Sequence, residues 1–370
     1  MKGRLAIVYA GYLARGGGVV QHLRQLRAAL EARGREVLVL SLDSLPLGVR
    51  VLPHIVRLVV NAVRAPWGTL LRYRVGRALL RAPLTRLVRH GEIGAVLFED
   101  VYSVFPVPVP SLAVLHALES HNLQGLNVSA ARVAAVRRLE GRWLRQIPCP
   151  VVTVSAPYRD TVLADLRQVG VAPPPIDVVP LGLDPERFPH PPRPRYSSRL
   201  ELVFLGFLVA RKNLGFLPRL AAALNGVIDF RLTIVGDGPL RSSLERACDA
   251  TGVRDVVRFY GRVDHDAVPD TLQAFHVMVH PSLVESFAYS LLEGKLAGCW
   301  TLTSPGLAVP REFCDAVRPL EPADWAEYLA KHRDVLMEPL SSERLAELRE
   351  IRQRFSADQM ASAYLAHLRA

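Results

Sequence analysis

Hydrophobic positions in this chain come in two textures: short unbroken runs, and longer stretches where they recur every third or fourth residue. RLAIVYA at 4–10 is such a run, LARGGG a glycine-rich break, and VVQHLRQLRAALEARG at 19–34 has helical spacing that stops at Gly34. EVLVLSL at 36–42 is the next run. A helix between two unbroken, β-branched-rich runs predicts parallel strands covered on both faces, the α/β signature. The alternation returns in AVLFED (95–100), LAVLHAL (112–118), CPVVTVSA (149–156) with the helix APYRDTVLADLRQ, and IDVVPLG (176–182). It pauses at PHPPRPRYSSR (189–199), where four prolines and no apolar run predict an interdomain linker. It then restarts with LELVFLGFL, the helix NLGFLPRLAAALN, FRLTIVGDG, the helix PLRSSLERACDATG, VVRFYG, AFHVMVHPS, the helix SFAYSLLEGKLAG and CWTLTSPG.

The expected architecture is therefore α/β, two doubly wound Rossmann-like domains facing across a cleft. Residues 1–188 form the first domain, 189–199 the linker and 200–352 the second, with a helix over 353–370 crossing back to the first. Ligands of such sheets bind at the carboxyl ends of the strands, so the cleft is the expected site.

Composition changes this picture in a few places. A length of 370 residues suits two domains, and 50% apolar against 22% charged residues exclude wholesale disorder. The net charge is +11, but it is not spread evenly. Between Ser44 and Gly91 there is no Asp or Glu, while Arg50, Arg57, Arg64, Arg72, Arg74, Arg77, Arg81, Arg86 and Arg89 contribute +9. That concentration excludes a uniformly basic protein coating nucleic acid, and no nucleic-acid partner is expected. Lysine is rare (Lys2, Lys212, Lys295 and Lys331, against 42 Arg), which an Arg-favouring genome explains and which makes each Lys more informative. Cys149, Cys248, Cys299 and Cys314 lie far apart, so neither zinc nor a disulfide framework is suggested. MKGRLAIVYAG lacks the pattern of a signal peptide, and no apolar run reaches the roughly 18 residues of a membrane span. These features predict a soluble protein of the cytoplasm.

The strongest chemical signal is HPSLVESFAYSLLEGKLAG at 280–298. A helix starting near Ser286 places Glu285 at its mouth and Glu293 two turns inside, roughly 12 Å apart along the axis. A nucleoside diphosphate sugar spans that distance, and the free N–H groups of Ser286, Phe287 and Ala288 offer a diphosphate cradle. A core helix with solvated carboxylates would show the same pair of glutamates.

The surrounding text sharpens the choice. From Leu202 to Gly298 the chain resembles the C-terminal domain of retaining family 4 (group 1) glycosyltransferases of the GT-B fold. The blocks VFLGFLVARKN, TIVGDGPL, RFYGRV and PSLVESFAYSLLEGKLAG carry it, in order and with the usual separations. GGGVVQHL, HALES, VVTVSAPYRDTV and DVVPLGLDPERF extend it upstream. The resemblance implies a retaining hexosyltransferase that moves a sugar from a nucleoside diphosphate donor to a hydroxyl acceptor held on the N-terminal domain. It implies that Glu285 touches the donor sugar and Glu293 the ribose, and that Lys212 neutralises the departing diphosphate. Arg262 and Val263 would hold the nucleobase, and Gly16, Gly17 and Gly18 would close on the diphosphate. His116, in LHALES, would be an active-site residue near the sugar. His22, His121 and Glu119 rank below it. No cofactor and no metal are expected, with the Lys212–Arg211 pair doing a metal's work.

The chain departs from the family pattern at two places. Where the family usually has Gly-Arg after the first strand of this domain, Gly206 is followed by Phe207, so Arg211 would supply the missing charge. Glu285-Ser286-Phe287-Ala288 replaces the usual Glu-Gly-Phe-Gly. A nucleotide-sugar epimerase on the same fold, and a catalytically silent binding subunit, are the rival readings. The silent subunit draws its support from Phe207.

The basic stretch has its own expectation. A helix from Pro53 places His54, Arg57, Asn61 and Arg64 on one face, while Ile55, Val59 and Val63 lie on the opposite face and supply its apolar stripe. Arg74, Arg77 and Arg81 form a second basic stripe, with Trp67 and Tyr73 between the two. A surface of this kind, over residues 50–89, suits an anionic membrane or an anionic acceptor, and a solvated arginine face is its bland counterpart.

Overall fold

The computed structural model describes residues 3–13, 17–64, 67–123, 126, 128–193, 195 and 197–369. Gly16 and the side chains of Val63 and Arg64 lie outside the described residues. The chain forms two compact units. Unit 1 comprises Met1–His121, Ser129–Leu183 and Phe355–Ala370, and unit 2 comprises Asn122–Val128 and Asp184–Arg354.

In unit 1 the strands are β1 (Arg4–Tyr9), β2 (Val37–Ser41), β3 (Ile93–Phe98), β4 (Ser111–Leu115), β5 (Val151–Thr153) and β6 (Asp177–Val178). They form one parallel sheet in the order β2-β1-β3-β4-β5-β6. In unit 2 they are β7 (Leu200–Leu205), β8 (Phe230–Val235), β9 (Val257–Gly261), β10 (Val277–His280), β11 (Trp300–Thr303) and β12 (Ala316–Val317). Their order, β12-β11-β10-β7-β8-β9, is the doubly wound dinucleotide-fold order. The central strands read as unbroken apolar runs because helices cover both faces: Ala6, Ile7, Leu202 and Phe204 are fully buried. Trp325, against Phe216 at 4.8 Å between ring centroids, closes the core on one side of the second sheet.

Each sheet has one place where the chain reverses its order of strand addition. In unit 1 it lies between β1 and β3, in unit 2 between β7 and β10. Loops leave the carboxyl ends of these neighbouring strands in opposite directions, which opens a crevice there.

Two expectations change. The proline-rich 189–199 stretch lies inside unit 2 and is tied to it: the Arg193 N–H donates to Gln273 at 3.0 Å, and Arg195 donates to the Ala297 and Gly298 carbonyls at 2.6 and 3.2 Å. Proline removes donors from the backbone, but the arginines between the prolines supply side-chain donors, which sequence texture cannot show. Apart from the short Asn122–Val128 segment, which is assigned to unit 2, the chain passes between units at Leu183–Asp184 and at Arg354–Phe355. At the second crossing the helix Ser342–Arg354 ends in unit 2, and Ser356 caps a new helix, Ala357–His367, in unit 1. Leu183 and Phe355–Ala357 exchange backbone hydrogen bonds at 3.0 and 2.8 Å. Gly182 is required there, since a Cβ would meet the Ser356 carbonyl oxygen at 2.3 Å.

The helix Leu52–Arg64 forms as expected, but with the opposite orientation. Ile55 and Val59 are exposed, together with Leu52 and Leu58, while Pro53 is buried and Arg57 and Asn61 are half-buried. Asn61 accepts from the Gly68 N–H at 2.9 Å, and the Arg57 carbonyl lies where a Cβ on Gly68 would stand, 2.6 Å away. The polar side is turned inward because Asn61 caps the following helix, Trp67–Arg89, and Gly68 admits the close approach.

Candidate active site

Unit 2 gathers its candidate residues at the carboxyl ends of β7 and β10. After β7 the chain passes Gly206 and Phe207 and enters a short 3-10 turn, Ala210–Lys212, closed by Asn213 at φ 52°. Two glycines of TIVGDG set this loop in place. A Cβ on Gly236 (φ 137°) would stand 1.9 Å from the Gly206 carbonyl oxygen, and one on Gly238 would stand 2.6 Å from that of Leu208. The Leu208 N–H donates to Asp237 at 2.9 Å, so the two loops are laced together.

Glu285 is the centre of this cluster. It is 7% exposed and takes Lys212 Nζ at 2.5 Å, His280 Nε2 at 3.2 Å and Arg211 at 3.4 Å. Burial alone would raise its carboxyl, but Lys212, then His280 and Arg211, hold it well below the usual carboxylate range. Burial pulls Lys212 down from the ordinary lysine value, and Glu285 offsets part of that pull. His280 is also lowered, by burial and then by Lys212, so a neutral imidazole lies between the carboxylate and Ser282, whose hydroxyl is 3.0 Å away. The Leu283 N–H donates to the Arg211 carbonyl at 2.8 Å, which ties the loop carrying the carboxylate to the loop carrying its cations.

The helix itself starts later than expected. It runs Tyr289–Leu296, with Ala288 as its cap at φ 61°, so Glu285, Ser286 and Phe287 belong to the loop before it. The projected 12 Å of helical axis between Glu285 and Glu293 therefore does not apply. Nor do Ser286, Phe287 and Ala288 form its first turn. Phe287 is buried against Tyr289 and Phe313, ring centroids 5.3 and 5.2 Å away, and this packing holds the loop off the helix axis. Glu293 is buried within the helix, 3.9 Å from His265 Nε2. Arg262, exposed, and Val263, half-buried, follow β9, where Gly261 accepts from the Gly236 N–H at 2.7 Å. Phe207 is 59% exposed, and Arg211 brings the second positive charge to the carboxylate. An Asp-x-Asp spacing does occur, at Asp264-His265-Asp266. Asp266 is fully exposed and pairs with Arg187 at 3.1 Å.

Unit 1 builds its own cluster around its switch point. Glu99, just past β3, is completely buried between two imidazoles. His116 Nε2, after β4, lies 2.8 Å away, and His22 Nε2, on the helix Gly18–Ala32, lies 3.1 Å away. His22 and His116 meet edge to face, ring centroids 4.9 Å apart. Burial would raise Glu99, but His22 and His116 bring it down to about 2. Burial in turn lowers His116 from its ordinary value, against the pull of Glu99. His22 Nδ1 is buried with no hydrogen-bond partner among the described residues. Donor atoms of the three residues lie within 4.8 Å of one another, so this trio could also hold a metal ion. Gly17 (φ 107°) caps the helix that carries His22, and Gly18 is its first residue. His121 is held by Tyr158 at 2.9 Å and Asp165 at 2.7 Å. The Glu119 N–H donates to the buried Glu140 at 2.6 Å.

Sequence reasoning passed over Glu99, His280 and the glycines of GDG. A readable signal existed for the first two. Each is a polar residue at the carboxyl end of an apolar run, where a doubly wound sheet presents side chains to ligand.

Residues 188–352 match the family model of the glycosyl transferases group 1. Across most of its length the chain is also similar to 2-deoxystreptamine glucosyltransferase of Streptomyces kanamyceticus, 30% identical over 75% of this chain and 78% of that protein. The chain belongs to the group 1 glycosyl transferases. This transferase is also similar to glycogen synthase of Mycobacterium tuberculosis, 28% identical over 92% of the chain and 87% of that enzyme. Its fold is shared with sucrose-phosphate synthase from Thermosynechococcus elongatus (TM-score 0.75, 17% identity, 100% and 98% of the two chains). It is shared as well with Anabaena HepE in complex with UDP-glucose (TM-score 0.66, 14% identity, 99% of each chain). The matched segment covers the whole Lys212–Glu285 site. Among the described residues, no helix is long and apolar enough to cross a membrane.

Proposed function

We propose that this transferase moves a hexose-type sugar from a nucleoside diphosphate sugar to a hydroxyl acceptor, with retention at the anomeric carbon. One observation carries the reading: an ionised, buried Glu285 held by Lys212, Arg211 and His280 at the switch point of unit 2. An anionic diphosphate arriving there competes with Glu285 for Lys212 and Arg211, and their charge then stabilises the leaving group as the C1–O bond breaks. The acceptor hydroxyl attacks C1 from the face the diphosphate leaves, and its proton passes to the departing phosphate oxygen. Glu285, relieved of Lys212, is free to accept from the sugar hydroxyls. Glu293 would take the ribose, Arg262 and Val263 the base, and Gly206, Ser286, Phe287 and Ala288 the diphosphate with Gly16–Gly18. His116, positioned by Glu99, would serve the sugar. Lys212 and Arg211 would do the work of a metal, so the reaction should proceed in EDTA. A panel of UDP-, GDP-, dTDP- and ADP-sugars tests this reading. Donor-dependent nucleotide release, lost in Glu285→Ala and Lys212→Ala, supports it, as does a product with the donor's anomeric configuration. Turnover without acceptor identifies an epimerase instead. Donor binding with no turnover identifies a silent subunit.

We also infer that the transferase is cytoplasmic and rests on the inner face of an anionic membrane through the Leu52–Arg64 helix. Leu52, Ile55, Leu58 and Val59 form one outward apolar face, continued by Leu47 and Val51, in a stretch with no acidic residue. Apolar burial and attraction by arginines such as Arg50 act together at an anionic interface. Ile55→Ser with Val59→Ser should change stability by no more than about 0.5 kcal/mol. It should abolish co-sedimentation with phosphatidylglycerol vesicles. Unchanged sedimentation, or wild-type self-association through this face, would overturn the inference.

A further inference from the structure

Three arginines of the acid-free stretch share one cavity. Arg74 and Arg81, exposed, and Arg77, half-buried, all on the helix Trp67–Arg89, line an open cavity of about 690 Å³ in unit 1. Arg142, Trp143 and Phe105 line it from the other side. Arg77 and Arg74 lie over the Trp143 ring, 5.2 and 5.7 Å from its centroid, and Arg77 donates to the Val104 carbonyl at 3.4 Å. Among the described residues, no carboxylate lies within ion-pairing distance of any of these guanidinium groups, whereas Arg137, Arg318 and Arg344 are each paired. Burial, and then the like charges of Arg74 and Arg81, lower the Arg77 pKa.

Arg74, Arg77 and Arg81 are close enough to act on one another as like charges, Arg142 joins them in lining the cavity, and an anion seated there would relieve that repulsion. Guanidinium forks match the geometry of phosphoryl and sulfuryl oxygens. The cavity is also far larger than one phosphate and falls within the size range of whole small-molecule sites. We propose that this cavity binds a phosphorylated ligand, its phosphoryl oxygens on Arg74, Arg77, Arg81 and Arg142 and its apolar or glycosyl body against Trp143 and Phe105. The site lies in unit 1, outside the segment matched by the family model, and does not depend on the donor chemistry proposed above.

Isothermal titration of the full chain with inorganic pyrophosphate tests it. Arg77→Gln with Arg142→Gln is the test variant, and Arg86→Gln with Arg89→Gln, on the same helix, is the charge-matched control. Wild type and control should show one site more than the test variant, or at least tenfold tighter binding. Any pyrophosphate bound beside Lys212 is common to all three proteins and cancels. Arg81→Gln replaces the test variant if circular dichroism shows that the double substitution does not fold. A second arm uses phosphatidylglycerol vesicles. Vesicle binding lost in the test variant assigns the phosphoryl group to a lipid headgroup, and pyrophosphate binding alone assigns it to a free ligand. Equal titrations for all three proteins, or equal losses in test variant and control, would overturn the site. Absence of donor turnover would leave this result unaffected.

Discussion

The two units solve one electrostatic problem in different ways. Each places a buried carboxylate at the switch point of a parallel sheet, Glu99 beside β3 and Glu285 beside β10. Glu285 has lysine and arginine against it, side-chain types whose ordinary pKa values lie far above neutrality. Glu99 has two imidazoles, a side-chain type that carries charge only when protonated. A fixed counter-charge suits a site that must receive an anion. A proton-dependent one suits a site that holds a histidine in one orientation.

The largest expected effect comes from breaking the fixed pair. Lys212→Ala removes the nearest counter-charge from the buried Glu285 and leaves it only Arg211 and His280, which should cost up to about 3–5 kcal/mol of unfolding free energy. In urea denaturation, the added Glu285→Ala should recover part of that loss. If it recovers none, the two charges are not coupled as their 2.5 Å separation indicates. Next comes the scaffold of the same site. Gly236→Ala puts a Cβ against the Gly206 carbonyl and should cost at least about 3 kcal/mol while abolishing donor turnover.

Unit 1 should respond more mildly. Glu99→Gln keeps the size of the side chain but removes the charge that orients His116. Stability should fall by about 1–3 kcal/mol and kcat by roughly 10²-fold, with donor KM little changed. Glu99 raises the His116 pKa, so its removal should move the acidic limb of the pH–rate profile to lower pH. A uniform drop with no movement of that limb would make Glu99 merely structural.

The smallest effect is pH-linked stability. Burial lowers His276 from 6.5 to about 4, and its Nδ1 accepts the Glu201 N–H at 3.0 Å. His116 and His280 are lowered as well. Between these folded values and 6.5 the unfolded chain binds protons that the native chain does not, so stability falls as pH drops through that window. Below about 4.5, protonation of the unfolded carboxylates removes the further stabilisation from Glu285 and Glu99. His276→Asn should flatten the upper part of the curve in urea titrations at pH 7, 5.5 and 4.

Much of this was legible in the chain. The alternation of apolar runs and helical stretches gave both sheets, and the block around 280–298 named Glu285 together with the cations of ARKN. The 42 arginines said little one by one, whereas the scarce lysines said more: Lys212 and Lys295 are both buried in ion pairs. Lys295, however, serves a network with Asp315 and Glu347 rather than the Glu285 site, and no local pattern separates the two roles.

Composition and periodicity determined the fold class, because burying both faces of a parallel sheet demands unbroken apolar runs. They also fixed the residue types near each strand end. The pairing of those residues came only from tertiary structure. Glu99 meets His22 and His116 across sequence separations of 77 and 17 residues, and strand order, not spacing along the chain, brings them together. The same holds for the Leu52–Arg64 helix. Periodicity showed that it has two faces, but only the cap by Asn61 and the close approach at Gly68 decided which one meets the protein.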